Sequence, residues 1–267
     1  KNRPKKESVP LFITVIPTVL IMGLYFVLNG VPAQIDRNNA PNIEQVDRQE
    51  DPEFEKKIFG HSVKNRPIEG YEIGNGSETL LLFSAIHGNE KGTADLLSKL
   101  VEELKTNPNF VADTKKLVII PIANPDGYYD RDDKLNGNEV NLNLNFKTTG
   151  WAKYGKSGTF AGNEPFTEPE SRIIKEIVEQ YKPSMMISFH SQGALVSPER
   201  DSKSMELGKW YAEKSGYVYF DEWDDSGTAT KWFVETTGNP AITVELTNHT
   251  DSDWQLNEKA LLELIAK

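Results

Sequence analysis

Apolar residues along the chain fall into blocks of two periods. Leu80 to Ile86, Leu117 to Ile122, Met185 to Phe189 and Ala241 to Leu246 are short, nearly unbroken apolar runs. Runs of that length and continuity predict strands buried on both faces. Between them the spacing changes: Leu96, Leu97, Leu100, Val101 and Leu104 share one side of a helix over Thr93 to Lys105. Further helices are expected over Glu168 to Tyr181, Met205 to Lys214, Thr228 to Val234 and Asn257 to Ala266, with a shorter strand over Tyr217 to Phe220. Thr167 ahead of Pro169 and Glu170 has the pattern of a capping box opening the Glu168 helix. Lys57 to Val63 and Ile68 to Ile73 read as a hairpin around Lys64-Asn65-Arg66-Pro67. Buried strands alternating with helices predict an α/β layer fold, a mostly parallel or mixed twisted sheet flanked by helices. In such sheets ligands sit beyond the carboxyl ends of strands. Three polar groups stand there: His87 after the Leu80 strand, His190 after the Met185 strand, and Glu245 late in the Ala241 strand.

The first part of the chain has a different pattern. No charged residue occurs from Val9 to Val31, and Leu11 to Leu28 is almost entirely apolar. Eighteen helical residues span about 27 Å, close to the roughly 30 Å of a bilayer's hydrocarbon core. Lys1, Arg3, Lys5 and Lys6 against Glu7 make the first ten residues +3, which leaves −13 on the rest of a chain of net charge −10. A basic flank on the N-terminal side predicts a single-pass membrane protein with its bulk outside the cytoplasm. The expected organisation is a basic cytoplasmic tip (1–8), a membrane helix (9–31), a polar linker (32–53) and a folded domain (54–267). The alternative is a signal peptide cut after Val31-Pro32-Ala33, which releases a secreted protein.

Composition narrows the chemistry. With no cysteine, the chain has no disulfide scaffold, thiol nucleophile or thiolate metal site. Its acidity argues against nucleic acid as a partner. A metal site must therefore come from four histidines and the carboxylates. His87-Gly88-Asn89-Glu90 is an H-x-x-E pair directly after a strand, and His190 offers a third donor. Two imidazoles and a carboxylate, with one position left for water, suit catalytic Zn²⁺. Each histidine taken alone is more readily structural. Glu245 lies in a buried strand, where a charge is costly unless paired or used. It is either a paired strand-end carboxylate or a general base toward an attacking water.

Asn124-Pro125-Asp126-Gly127 is by default a turn, and the Asn-rich stretch 134–146 an ordinary loop. Taken together, however, H-G-N-E (87–90), N-P-D-G (124–127), V-N-L-N-L-N-F (140–146), S-F-H (188–190) and I-T-V-E-L (242–246) occur in an order that resembles the zinc metallocarboxypeptidases of the carboxypeptidase A type. The resemblance runs from about Ile58 to the C-terminus. It is strongest toward the bacterial murein peptide amidases, which cleave the γ-D-glutamyl–diaminopimelate bond of cell-wall peptides. It implies one Zn²⁺ held by His87, Glu90 and His190, with Glu245 as general base and then general acid. It also implies that Asn143 helps hold a substrate carboxylate. A peptide or muropeptide is then the expected substrate.

Three positions depart from the family pattern. Leu144 stands where an Arg usually clamps the terminal carboxylate in a bidentate fork. Lys134 stands where an Arg polarises the oxyanion, and Arg131 is near enough in sequence to substitute. Trp223 stands where a Tyr is expected. Arg200, after the His190 strand, is either a reader of an acidic substrate group or a solvated surface residue. The expected function is thus a zinc-dependent amide hydrolase acting outside the cytoplasm on cell-wall peptides. The rivals are a membrane-tethered, catalytically weakened peptide-binding module on the same fold, and a zinc deacylase of N-acyl amino acids.

Overall fold

The computed structural model describes residues 54–266. The expected tip, membrane helix and linker of 1–53 lie outside these residues. No helix among the described residues is long and apolar enough to cross a membrane.

The expected hairpin forms as β1 (Phe54–His61) and β2 (Pro67–Ile73). The four apolar runs become β3 (Glu78–Ser84), β4 (Lys115–Ile120), β5 (Met185–Ser191) and β8 (Ala241–Leu246). Two further strands, β6 (Leu195–Pro198) and β7 (Val218–Tyr219), complete one eight-stranded sheet in the order β1-β2-β4-β3-β5-β8-β6-β7. The centre is parallel, β4 to β3 to β5 to β8. Antiparallel pairs join β2 to β4 and β6 to β8, so the sheet is mixed.

Five helices cover it: α1 (Lys91–Thr106), α2 (Pro169–Tyr181), α3 (Ser202–Ser215), α4 (Ala229–Thr237) and α5 (Trp254–Ile265). The period-two geometry of β3 explains why both faces need cover. Leu80 and Leu82 enter one apolar core with residues of α1, α3 and α5. Leu81 and Phe83 enter the other with residues of α2 and α4. Truncating any of these leucines to alanine is expected to cost about 2–5 kcal/mol.

One expectation fails at α2. Its N-cap is Glu168 rather than Thr167, and no side chain caps the helix. The Thr167 hydroxyl instead accepts a hydrogen bond from Asn145 Nδ2 at 3.0 Å. Pro169 at the first helical position lacks one of the N–H donors that a helix start leaves unpaired.

Sheet register sets the chemistry. Met186 on β5 and Ala241 on β8 belong to the core beneath α2 and α4. With period two, Ser188 and His190, and likewise Thr243 and Glu245, continue on that face toward the strands' carboxyl ends. Parallel pairing places Ser188 beside Thr243 and His190 beside Glu245. Loops rather than helices border the sheet at this end, and a cleft opens there.

Candidate metal centre

His87 lies three residues past β3, and Glu90 immediately precedes α1. The ligand atoms of His87, Glu90 and His190 lie within 4.8 Å of one another, and all three residues are buried. His87 Nδ1 is 2.9 Å from Glu90 Oε1, and His190 Nδ1 is 3.0 Å from Glu90 Oε2. Glu90 Oε2 is nevertheless buried without a hydrogen-bond partner. The His190 contact has the distance of an ion pair but not the direction of a hydrogen bond. Burial by itself would raise the Glu90 carboxyl, but the facing imidazoles hold it well below the ordinary carboxylate range. Burial disfavours the charged His190 ring, and the Glu90 carboxylate more than reverses this. An anion so enclosed calls for a cation, and two Nδ1 atoms with a carboxylate are the donor set of a catalytic zinc site.

For His87, the far side of the ring fixes which nitrogen is free. Asn141 Oδ1 accepts from the Asn143 backbone N–H at 3.1 Å, so that atom is an acceptor. It lies 3.1 Å from His87 Nε2, which must donate to it. The lone pair of neutral His87 is then on Nδ1, toward Glu90. His190 Nε2 lies 2.9 Å from Ser188 Oγ and 3.4 Å from Asn143 Nδ2, and its Nδ1 faces Glu90. Partners of this kind set tautomer and ring orientation in zinc sites. The residues therefore fit Zn²⁺.

Backbone packing holds the His87 loop in place. A Cβ on Gly88 would meet the Gly127 carbonyl carbon at 2.1 Å, so the H-G-N-E and N-P-D-G segments require this glycine to touch. Asn124 joins the same loops, accepting from Gly127 N–H at 2.9 Å and donating to the carbonyls of Ile86 and Leu135 at 3.1 and 3.2 Å.

The cleft beside this centre encloses about 520 Å³ and is lined by His87, His190, Glu245 and Lys134 among others. Burial pushes the Glu245 carboxyl up, while His190 and Lys134 pull it back. Lys134 forms no ion pair among the described residues, so its charge remains available to the cleft. Asn143, Leu144 and Trp223 also line the cleft. Asn143 Oδ1 accepts from Ala229 N–H at 3.2 Å, and Trp223 meets Phe220 edge to face with ring centroids 5.6 Å apart.

Two of the expected residues are not brought to the site. Arg131 turns to Asp133 and Glu139, at 3.1 and 3.3 Å, and does not line the cleft. Arg200 is exposed, donating to the Glu222 carbonyl at 3.0 Å beside Asp224, so it serves as a surface residue. Conversely, Asn141, Ser188, Ser197, Thr230 and Glu199 contact or line the site and were not among the expected site residues. Ser188 and Asn141 stand inside recognised segments, but only the register reveals what they touch. His249 accepts or donates a 2.7 Å bond with Ser191 Oγ at the cleft wall.

Comparison with known proteins agrees with this arrangement. A family model described as zinc carboxypeptidase matches residues 43–266. Murein peptide amidase A of Escherichia coli K12 is 25% identical over 169 residues, which cover 58% of this chain and 65% of that protein. Gamma-D-glutamyl-L-diamino acid endopeptidase 1 of Lysinibacillus sphaericus is 22% identical over 247 residues, covering 72% of this chain and 60% of that protein. The chain thus spans less than two thirds of either relative. Among solved structures, carboxypeptidase A from Helicoverpa armigera superposes with a TM-score of 0.68 at 21% identity, over 79% of this chain and 66% of that one, a likeness of fold.

Proposed function

The chain belongs to the zinc carboxypeptidase family, and from that premise we propose that it hydrolyses an amide bond in a cell-wall (murein) peptide on the outer side of the cytoplasmic membrane. The observation that carries the hydrolytic part is the register of His190 beside Glu245 on neighbouring parallel strands. It sets a carboxylate next to a buried His-Glu-His donor set at the wall of one cleft.

His87, Glu90 and His190 are the residues that would hold the zinc. A bound zinc ion supplies Lewis acidity toward the scissile carbonyl and makes water a stronger acid at neutral pH. Glu245 takes the proton from the attacking water and then delivers it to the departing nitrogen. Lys134, with its ammonium unpaired, offsets the negative charge that develops on the carbonyl oxygen. Asn143, whose Nδ2 lies 3.4 Å from His190 Nε2, orients the substrate beside the donor set. Leu144, without a fork of donors, leaves a terminal carboxylate unclamped.

That last feature, the two cell-wall relatives and the N-terminal charge pattern together favour muropeptides over ordinary peptides. The expected membrane helix over 9–31, with the catalytic domain at 54–267, would place the enzyme at the wall.

Metal content measured together with turnover tests the hydrolase reading. The full chain is expected to bind one equivalent of zinc, to hydrolyse muropeptides, to stop when a chelator is added and to resume when zinc is restored. Stoichiometric zinc with no turnover on any peptide would instead establish the catalytically weakened binding module.

A further inference from the structure

Three buried carboxylates lie outside the lining of the cleft, and the hydrolytic scheme uses none of them. They are Asp126, Glu168 and Glu170. Asp126 belongs to the N-P-D-G segment, and Glu168 and Glu170 flank Pro169 at the start of α2. All three touch one short turn, in which Asn136 N–H donates to the Val140 carbonyl at 3.0 Å. Two residues before Asn136 stands Lys134, the cation that faces the developing oxyanion.

Asn136 is fully buried, and its carboxamide has no bonding capacity to spare. Its Nδ2 donates to Glu168 Oε2 at 2.7 Å and to Glu170 Oε2 at 3.1 Å. Its Oδ1 accepts from the backbone N–H groups of Asn138 and Val140 at 3.0 and 3.1 Å. Glu168 Oε2 takes a further bond from Asn138 Nδ2 at 2.9 Å, and Glu170 Oε1 accepts from Val63 N–H at 3.2 Å. A Cβ on Gly137 would meet Asp126 Oδ2 at 2.7 Å, so the third carboxylate closes on the same turn. Arg66 Nε lies 3.3 Å from Asp126 Oδ1, but neither Glu168 nor Glu170 has a cation within ion-pair distance among the described residues. Burying two like charges on one partner is costly, and uncharged residues would pack the turn more cheaply. What the charges add is strength: hydrogen bonds to a carboxylate are about twice as strong as neutral ones. Here they grip both hydrogens of a single carboxamide.

Lys134 needs such a hold. It is an exposed residue at the cleft, and among the described residues no hydrogen bond or ion pair fixes its ammonium. Its placement is therefore the placement of its backbone. On one side the Asp133 carbonyl accepts from Asn89 N–H at 3.1 Å, inside the H-G-N-E segment. On the other side the Leu135 carbonyl accepts from Asn124 Nδ2 at 3.2 Å, and Asn136 follows. We infer that Glu168 and Glu170 are positioning residues for the hydrolysis, which through Asn136 set where the Lys134 ammonium stands relative to the scissile carbonyl. The inference rests on the proposed amide hydrolysis and goes beyond it by naming what holds the group at the oxyanion. Asn141, at the far end of the turn, has a tie of its own, its N–H donating to the Phe160 carbonyl at 2.9 Å. Loosening Asn136 should thus disturb Lys134 and spare the partner of His87.

The test asks whether the effect passes through Lys134. kcat and KM on a muropeptide are measured for the zinc-loaded full chain, for Glu170→Gln, for Lys134→Ala and for the double variant. Glu170→Gln keeps the shape but exchanges one of the accepting oxygens for a donor. It is expected to lower kcat about tenfold or more, with KM and bound zinc nearly unchanged. Where Lys134 is already alanine, the same change should lower kcat by less than about twofold. No loss, or an equal loss in both backgrounds, overturns the inference, since a general structural role would act in either. A second readout does not need turnover. The chain has no cysteine, so Lys134→Cys takes up a single nitroxide spin label. Its paramagnetic resonance spectrum is expected to be that of an ordered backbone and to sharpen when Glu170→Gln is added, whereas identical spectra overturn the inference. If Glu170→Gln does not fold, Glu168→Gln carries the same cycle, because Glu168 accepts from the same carboxamide. A label that sharpens in a chain that hydrolyses no peptide would sink the hydrolase reading and leave the hold on residue 134 standing.

Discussion

The two ends of the cleft are built differently. At the hydrolytic end, the metal ligands and Glu245 come from strands or the first residues beyond one, and Lys134 joins them from a loop. His190 and Glu245 sit side by side on β5 and β8, and His87 and Glu90 follow β3. Every ring nitrogen there has a defined partner, Asn141 or Ser188 on one side and Glu90 on the other. At the recognition end, the groups come from loops and from the short strand β6, and two of them, Leu144 and Trp223, depart from the family pattern. Geometry that must be held for bond cleavage is fixed by a rigid sheet, whereas the parts that read the substrate lie where the backbone tolerates change. The same scaffold can therefore keep one chemistry while exchanging its substrate.

Substitutions at the two ends should separate accordingly. The largest effect is expected from Glu245→Gln, which removes the proton carrier and should lower kcat by roughly 10²–10⁴ while bound zinc, measured by elemental analysis, is retained. Full activity in this variant would break the account at its hydrolytic end. Next, Lys134→Ala should lower kcat by about 10²–10³ with Lys134→Arg restoring much of it, whereas Arg131→Ala should behave nearly as the unaltered protein. The reverse pattern would return the oxyanion role to Arg131. Smaller still, Asn141→Ala should weaken zinc binding by about 10–100-fold in competition with a chromophoric chelator, because His87 loses the partner that sets its tautomer. Unchanged affinity would mean that the ring is held by packing alone.

The smallest and most specific effect belongs to the recognition end. Leu144→Arg supplies the missing fork of donors and should raise kcat/KM on simple peptides with a free C-terminal carboxylate by roughly tenfold. No gain would mean that the loop around Trp151, whose Nε1 donates to the Leu144 carbonyl at 2.9 Å, holds position 144 away from the substrate.

How much of this was legible in the amino-acid order follows the same division. The central strands were readable because a strand buried on both faces leaves an apolar run, and His87, His190 and Glu245 stood out as polar groups at the ends of such runs. The helix over 91–106 was readable from its apolar stripe. The short strand β6 was not, because Leu195-Val196-Ser197-Pro198 is too short and too mixed to show a period. Glu199, which follows β6 and lines the cleft, was hidden with it. Lys134 and Arg131 could not be separated in sequence, since both lie in an irregular stretch where three residues decide whether a side chain faces the cleft or Asp133. Thr167 was misread as a cap because a good capping residue is equally good at accepting a bond from a neighbouring loop, here from Asn145.

The central claim is that an intact hydrolytic end has been joined to a recognition end turned away from ordinary peptides. Mass-spectrometric identification of products tests it most directly, with the zinc-loaded full chain incubated with a muropeptide mixture and, separately, with simple peptides, each with and without a chelator. The account predicts chelator-sensitive cleavage of muropeptides at the γ-D-glutamyl–diamino acid amide and slow release of C-terminal residues from simple peptides. Brisk release of C-terminal amino acids from simple peptides, with muropeptides left intact, would contradict it.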